Sequence, residues 1–180
     1  MTVQLAPEKW HAVRMPIILA NQNNPLRDGR QSQRAMVIRR GVQRLLAQMG
    51  AHVLPELSLA TGRRADLVAL TRQGDIWIVE IKSSFEDFRV DRKWPDYRLH
   101  SDRFFFATHP DVPAGIFPQD CGFILSDGYG AEILREAPEH RMAAATRKAM
   151  MLRFARAGAA RLLAAEIAGV AIPALDGESE

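Results

Sequence analysis

The sequence predicts an α/β protein with a mixed central β-sheet flanked by helices and a long helix at its C-terminal end. Runs of strand length, rich in apolar and β-branched residues, alternate with segments whose apolar residues recur every three to four positions. Two of those runs are joined by a short glycine-containing connection that is typical of a hairpin. With 180 residues, of which 47% are hydrophobic and 25% charged, the chain suits one globular domain with a full core.

Three segments divide the chain. Residues 1–30 mix proline, asparagine and glutamine without sustained periodicity, and we predict them to be an N-terminal extension. The domain itself is predicted over residues 31–168. Residues 169–180 contain three acids and no cation, and we expect a disordered acidic tail. The rest of the chain is therefore more basic than the formal net charge of +3 indicates.

The first two elements are a helix and a strand. From Ser32 to Met49 the apolar positions recur at three and four, the arginines at 34, 40 and 44 lie elsewhere, and Gly50 can end the helix. The basic side of this helix is either solvated or in contact with phosphate. Glu56 to Leu59 alternates as a first strand and follows a proline, which strand starts tolerate.

The next two strands form the predicted hairpin. Residues 63–70 and 76–82 are rich in apolar and β-branched side chains. The intervening Arg72-Gln73-Gly74 suits a three-residue loop whose glycine takes the left-handed conformation. This loop pairs Thr71 with Asp75 and thereby determines the register of the hairpin.

Charged residues interrupt one face of this hairpin away from its turn. The register places Asp66 opposite Glu80 and Arg64 opposite Lys82. Directly opposed residues place their Cβ atoms roughly 4.5–5.5 Å apart, where two like charges are destabilising. A divalent cation removes that conflict, and two carboxylates with waters and a substrate phosphate suit Mg²⁺ or Mn²⁺. Lys82 lies about 6.6 Å beyond Glu80 on the same face and would flank the ion.

A less specific interpretation of the same residues stays open. Glu80 and Lys82 would then form an ordinary ion pair, and Asp66 would lie at a solvated strand end. Glu56 also has two interpretations. It either joins the metal shell from the neighbouring strand or is a solvated charge on the sheet edge.

Helical segments follow the strand that carries Glu80. Ser84 with Asp87 three residues later resembles a capping box, which predicts a helix from near Phe85. Trp94-Pro95 precedes a second short segment, for which Asp96 is the predicted cap. Because both segments follow the charged strand end, we expect them to lie over the same rim. The residues of this rim that suit contact with a phosphate-bearing partner are Arg64, Arg89, Arg92, Lys93 and Tyr97.

The remaining elements complete the sheet and end in a long helix. Residues 104–107 and 122–125 are predicted to be buried strands, and a turn at 127–130 leads to a short strand at 131–134. Pro138 and Glu139 are predicted to open a helix that reaches Ala168. We interpret its six cations as a solvated face, although the length of the helix also permits partner binding or DNA contact.

Asp on one strand, followed by Glu-x-Lys on the next, resembles the PD-(D/E)xK nuclease superfamily. The chain resembles the MmcB family more extensively, over blocks within residues 31–160. One departure is that the leading Pro-Asp of the superfamily is Ala65-Asp66 here; the carboxylate, rather than the proline, is the ligand. The matching blocks are Arg63 to Asp66, Ile76 to Ser84, Asp91 to Arg98, Asp102 to Ala107 and Tyr129 to Arg141.

The resemblance implies a restriction-endonuclease-like fold and a DNA-repair endonuclease that hydrolyses phosphodiester bonds. Asp66, Glu80 and Lys82 are its catalytic residues, and Asp66, Glu80 and the backbone carbonyl of Ile81 hold Mg²⁺ or Mn²⁺. Glu56 is the additional candidate ligand. Two alternatives stay open. One is a non-catalytic DNA-binding or scaffold protein of a repair complex, and the other is an RNA-processing nuclease.

Composition limits the setting of this function. No apolar run approaches ~18 residues and the N-terminus lacks signal-peptide order, so we expect a cytoplasmic protein without a membrane partner. The resemblance to a DNA-repair family further implies that it is nucleoid-associated. The single cysteine, Cys121, excludes an internal disulfide and a cysteine-based zinc cage. Arginine, which suits bidentate phosphate contact, makes up 20 of the 24 cations. A coding bias toward arginine would give the same count, so composition alone does not identify the partner. The resemblance makes DNA the expected partner, with Arg64, Arg89, Arg92, Lys93 and Tyr97 as its predicted contacts, and other repair proteins or a second copy stay open.

Overall fold

Six strands form one mixed sheet whose spatial order follows the order of the chain. The computed structural model describes residues 32–91 and 94–171. The strands are β1 (His52–Ser58), β2 (Arg64–Leu70), β3 (Ile76–Lys82), β4 (Arg103–Thr108), β5 (Gly122–Ser126) and β6 (Ala131–Arg135). The helices are α1 (Gln33–Gln48), α2 (Phe85–Val90), α3 (Pro95–Arg98) and α4 (Ala144–Ile167), with a 3₁₀ helix at Ala114–Ile116.

This architecture confirms the predicted α/β class with a long C-terminal helix. Strands β3, β4 and β5 run parallel, whereas the β1–β2, β2–β3 and β5–β6 pairs are antiparallel. The predicted extension, residues 1–30, lies outside the described residues, and so do Arg92, Lys93 and positions 172–180 of the predicted tail. In the part of the chain that the structure describes, no helix combines the length and the apolar character needed to cross a bilayer.

The hairpin has the predicted turn. The N–H of Thr71 donates to the carbonyl of Asp75 at 2.9 Å, and Gly74 has a φ of +83°. A side chain at that φ is strained, whereas glycine adopts it freely. The pairs from Leu70 with Ile76 to Leu67 with Val79 follow the predicted register.

Helix α1 covers one face of the sheet. The Ser32 hydroxyl accepts the N–H of Ala35 at 3.1 Å and caps the first turn, and Gly50, with a φ of +79°, follows the last turn. The apolar side of the helix, which includes the fully buried Ile38 and Val42, packs on one layer of strand side chains. The predicted position of this helix is confirmed.

The opposite face is covered by aromatic side chains and by α4. Phe104 and Phe106 of β4 are fully buried there, and Trp94 and Tyr97 stack on Phe104 at 6.0 Å between ring centroids. Met150 of α4 packs in the same cluster. Trp94 therefore belongs to the packing of this face.

Two predicted helix starts are wrong. Helix α4 begins at Ala144 rather than at Pro138, because the N–H of His140 donates to the carbonyl of Asp102 at 2.7 Å and holds that segment outside a helix. Asp96 does not cap the second short helix. Trp94 occupies the cap position without a side-chain bond, and Asp96 lies inside the helix, where it pairs with Arg63 at 2.5 Å.

Asp102 joins β3, β4 and α4. Its buried carboxylate accepts hydrogen bonds from the N–H of Ile76 at 2.7 Å and from both Nη atoms of Arg147.

The substitution Asp102→Ala leaves a buried N–H and a guanidinium without their acceptor, so we expect the free energy of unfolding to fall by about 3 kcal/mol or more. Urea denaturation measures it. The matched control is Asp111→Ala, which removes an exposed pair with Arg34 and should cost about 0.5 kcal/mol or less. An equal loss in both variants would contradict this account.

Candidate active site

The hairpin opens beyond Leu67 and Val79, and two carboxylates fill the opening. The N–H of Asp66 donates to Oε1 of Glu80 at 3.2 Å, and the N–H of Ile81 donates to Oδ2 of Asp66 at 2.8 Å. These bonds replace the ladder of backbone hydrogen bonds, so each carboxylate is held by the backbone of the opposite strand. The structure thus brings Asp66 and Glu80 together as predicted.

The backbone pairing predicted for the rest of the hairpin does not form. The paired residues of β2 and β3 end at Leu67 and Val79, so Arg64 is not paired with Lys82. Its guanidinium instead pairs with Glu56 of β1, with Nε 2.5 Å from Oε2. The physical reason is that the two carboxylates satisfy the backbone donors where the ladder would have continued.

Burial places both carboxylates under electrostatic stress. Burial raises the pKa of Asp66 from its ordinary 3.8 to about 6, although the Ile81 N–H and the Lys82 charge oppose the shift. The pKa of Glu80 lies well above its usual range because the side chain is buried and because the charge of Asp66 adds to that effect. Glu80 is 5% exposed, whereas Asp66 is half-buried and faces solvent in part. A cation between them would relieve this stress.

Lys82 lies beside the pair and is itself held by a third acid. Its Nζ is 3.9 Å from Oε2 of Glu80 and 2.5 Å from Oδ2 of Asp91. Burial lowers the pKa of Lys82, but the hydrogen bond to Asp91 and the charge of Glu80 outweigh that effect and raise it overall. The amine is therefore a fixed, buried ammonium group.

Glu56 has an unusual backbone conformation next to the pair. Its φ of 52° falls in the left-handed region, which non-glycine residues rarely adopt. The flanking pairs, Pro55 with Leu67 and Leu57 with Ala65, place Glu56 beside Asp66 on the neighbouring strand. Its buried carboxylate lies 2.5 Å from Arg64 and 4.0 Å from Nη1 of Arg39. Glu56 therefore contributes to the field around Asp66 while its oxygens face arginines.

The candidate metal ligands are the two carboxylates of Asp66 and Glu80. Within residues 32–91 and 94–171, no group of three or more His, Cys, Asp or Glu side chains is arranged to hold a metal ion. The ligand roles of Asp66, Glu80, the Ile81 carbonyl and Glu56 all stay predictions.

The predicted DNA contacts have different environments. Arg89 is exposed on α2, close to the strand end that carries Lys82. Tyr97 is 6% exposed, its ring stacks on Phe104, and its hydroxyl donates to the carbonyl of Arg64 at 3.2 Å. Its predicted role in DNA contact is therefore wrong, because its ring serves the core. Arg92 and Lys93 lie outside the described residues.

Sequence reasoning missed two residues of this site. Arg39 lies within the apolar stripe of α1, between Ile38 and Val42, and it is 8% exposed. A cation at a core-facing helix position is a signal of a buried acidic partner, and here that partner is Glu56. Asp91 carries no comparable signal, since only the fold brings it to Lys82.

The fold and the site together define an α/β protein with a paired carboxylate centre, and comparisons place this protein in a family. The family model of MmcB-like DNA repair proteins matches residues 22–169, and the chain belongs to that family. No curated protein matches the chain. Among solved structures, the SPO1766 protein of unknown function from Silicibacter pomeroyi is similar, with 37% identity, a TM-score of 0.72, and coverage of 81% of this chain and 99% of that one.

The raised pKa of Asp66 predicts a pH-dependent stability. Because the unfolded chain releases this proton near pH 3.8 and the folded protein near pH 6, wild type loses free energy of unfolding as pH rises through that window. Asp66→Asn does not titrate at this position and keeps an acceptor for the Ile81 N–H. In chelator, its stability relative to wild type should therefore rise between about pH 4 and pH 6.

Urea midpoints across this range measure the difference. Glu80→Gln should shift in the same direction, because burial raises that pKa as well. If the difference in stability between Asp66→Asn and wild type were constant with pH, the surroundings would not raise the pKa of Asp66.

Proposed function

We propose that this protein is a divalent-metal-dependent DNA endonuclease acting in DNA repair. The observation that carries the proposal is the pair of Asp66 and Glu80 in the opened hairpin, with the ammonium group of Lys82 beside them. Membership of the MmcB-like DNA repair family supports DNA as the substrate. The work of such an enzyme belongs in the cytoplasm, at the nucleoid.

The residues fit a hard divalent cation. Two carboxylates whose pKa values are both raised, chiefly by burial, share one opening, and Asp66 is in part accessible from solvent. Carboxylate oxygens are the ligands that Mg²⁺ and Mn²⁺ prefer, and both ions usually retain waters and bind substrate phosphate. Bound there, either ion would polarise the scissile phosphate and lower the pKa of a coordinated water.

Lys82 supplies a fixed positive charge rather than a base. Its raised pKa keeps the amine protonated, and the bond to Asp91 directs Nζ along the rim beside Glu80. An ammonium group in that position donates hydrogen bonds to an attacking water or to a phosphate oxygen on which negative charge develops. Asp91 is the residue that positions it.

The candidates for contact with DNA around this centre are exposed cations. Arg89 on α2 is free to meet a phosphate from the side of Lys82. Arg64, which is exposed although it is paired with Glu56, precedes Asp66 by two residues on β2. The two cations are therefore on elements that lead into and out of the strands that carry the carboxylate pair.

Substitutions in the centre test the enzyme. Asp66→Ala and Lys82→Ala should each abolish cleavage of labelled single-stranded, duplex, flapped and branched DNA in Mg²⁺ or Mn²⁺. The reason is that Asp66→Ala removes a ligand of the ion, whereas Lys82→Ala removes the positive charge that stabilises the reacting phosphate. Gel assays with a chelator control measure it, and circular dichroism checks folding. Full activity in either folded variant would refute the assignment, and cleavage of RNA alone would favour the RNA-processing alternative.

Metal binding separates the enzyme from a scaffold that retains the fold. Mn²⁺ or Mg²⁺ should raise the midpoint of thermal unfolding at pH 8, where both carboxylates are most in need of a counter-charge. Asp66→Asn should lose that rise while remaining folded. Isothermal calorimetry with Mn²⁺ gives the stoichiometry. A wild-type protein that binds DNA but shows neither a metal-dependent rise nor heat of binding would be the scaffold.

A further inference from the structure

A groove of about 530 Å³ runs between β1 and α4, next to the carboxylate pair. Glu56 and Leu57 line it from the strand, and Leu152 lines it from the helix. Three arginines of α4, at positions 153, 156 and 161, also line it. The long helix thus has an arginine-bearing side that faces an edge strand and a half-open cavity, a placement that its sequence pattern did not indicate.

The three arginines differ in how many of their hydrogen-bond donors have an acceptor. Nη2 of Arg161 donates to the carbonyl of Glu56 at 2.9 Å, but its Nη1 is buried and has no hydrogen-bond partner among the described residues. Arg153 reaches only the carbonyl of Ser58, at 3.5 Å. Arg156 is exposed, and no acidic side chain in the described ranges pairs with it. The groove therefore holds donors that lack acceptors.

The charge of the groove is positive. Glu56 is the single carboxylate in its lining, and that carboxylate is engaged by Arg64 at 2.5 Å. Burial lowers the pKa of Arg161, and the charge of Glu56 offsets that effect only in part. By comparison, the cavity at the start of α4 contains Asp75 and Glu139 beside its cations. The groove next to β1 is the one that suits an anion.

The groove also leads to the proposed active site. Glu56 lies beside Asp66 on the neighbouring strand, and adjacent strands are about 4.8 Å apart. A chain of phosphates lying in the groove would thus reach the carboxylate pair within one strand spacing. The apolar side chains of Leu57 and Leu152 line the space between the arginines, where they suit the sugars of such a chain.

We propose that this groove binds the phosphodiester backbone of the DNA substrate beside the scissile bond, through Arg153, Arg156 and Arg161. The proposal rests on the function proposed above, because it assigns the path of the DNA away from the same centre. Guanidinium groups bind phosphate oxygens in a bidentate fashion, and the free Nη1 of Arg161 gains the acceptor that it lacks. Helix α4 is in this way part of the substrate-binding surface.

The test is DNA binding by Arg153→Gln/Arg156→Gln in chelator, so that no cleavage is needed. Both residues are exposed, and glutamine is compatible with a helix, so the fold should survive. The matched control is Arg141→Gln/Lys148→Gln, which removes the same charge at exposed positions around the other cavity. The probes are a labelled single strand and a labelled duplex, measured by fluorescence anisotropy at several salt concentrations. Inorganic phosphate and a deoxynucleoside monophosphate are added as competitors.

For Arg153→Gln/Arg156→Gln, the groove variant, we expect an affinity for DNA about tenfold lower at low salt. Because two cations are removed, the slope of log K against log salt should be smaller in magnitude by about 1.4 for the single strand or about 1.8 for the duplex. The control should retain most of the affinity. Equal losses in both variants, or unchanged affinity in the groove variant, would overturn the proposal. The proposal would also be overturned if phosphate or the mononucleotide saturated the groove at concentrations that leave DNA binding unchanged.

The groove and the nuclease can fail separately. If the groove variant loses binding but wild type never cleaves DNA with Mg²⁺ or Mn²⁺, the groove stands and the nuclease assignment falls. If wild type cleaves and the groove variant cleaves with the same KM, the nuclease stands and the groove falls. A raised KM with kcat nearly unchanged is the result that supports both.

Discussion

The opened hairpin is the feature on which the rest of the site depends. Two strands that pair normally near their turn separate where Asp66 and Glu80 take over the hydrogen bonds of the backbone. A structure that served stability alone would continue the ladder, because two buried carboxylates in one opening repel each other and resist ionisation. The unfavourable free energy of holding these two carboxylates together is located in the sheet, where a bound cation would offset it.

A second set of charges holds the elements around this opening. Glu56, in its left-handed conformation, is contacted by Arg39 from α1, by Arg64 from β2 and, at its carbonyl, by Arg161 from α4. Helices on both faces of the sheet are therefore joined through one residue beside Asp66. Strain at such a position persists only when the surroundings hold it, and these three arginines are contacts that hold Glu56 in place. The same arrangement leaves α4 with its arginines along the groove.

Several features were predictable because they depend on neighbours in the chain. The hairpin turn with Gly74, the cap at Ser32 and the meeting of Asp66 with Glu80 all follow from short-range spacing. The errors arose where distant contacts prevailed. The start of α4 was wrong because a bond from His140 to Asp102 holds that segment, and Tyr97 was assigned to DNA although its ring completes an aromatic cluster.

The sequence by itself determined the α/β class, the order of the elements and the identity of the two carboxylates and the lysine, because apolar periodicity and turn chemistry are local. Only the tertiary structure decided that Asp91 holds Lys82, that Arg39 is buried against Glu56, and that the cations of α4 line a groove. Those contacts join residues far apart in the chain. Their existence depends on how helices are placed on the sheet, and no spacing within one segment encodes that placement.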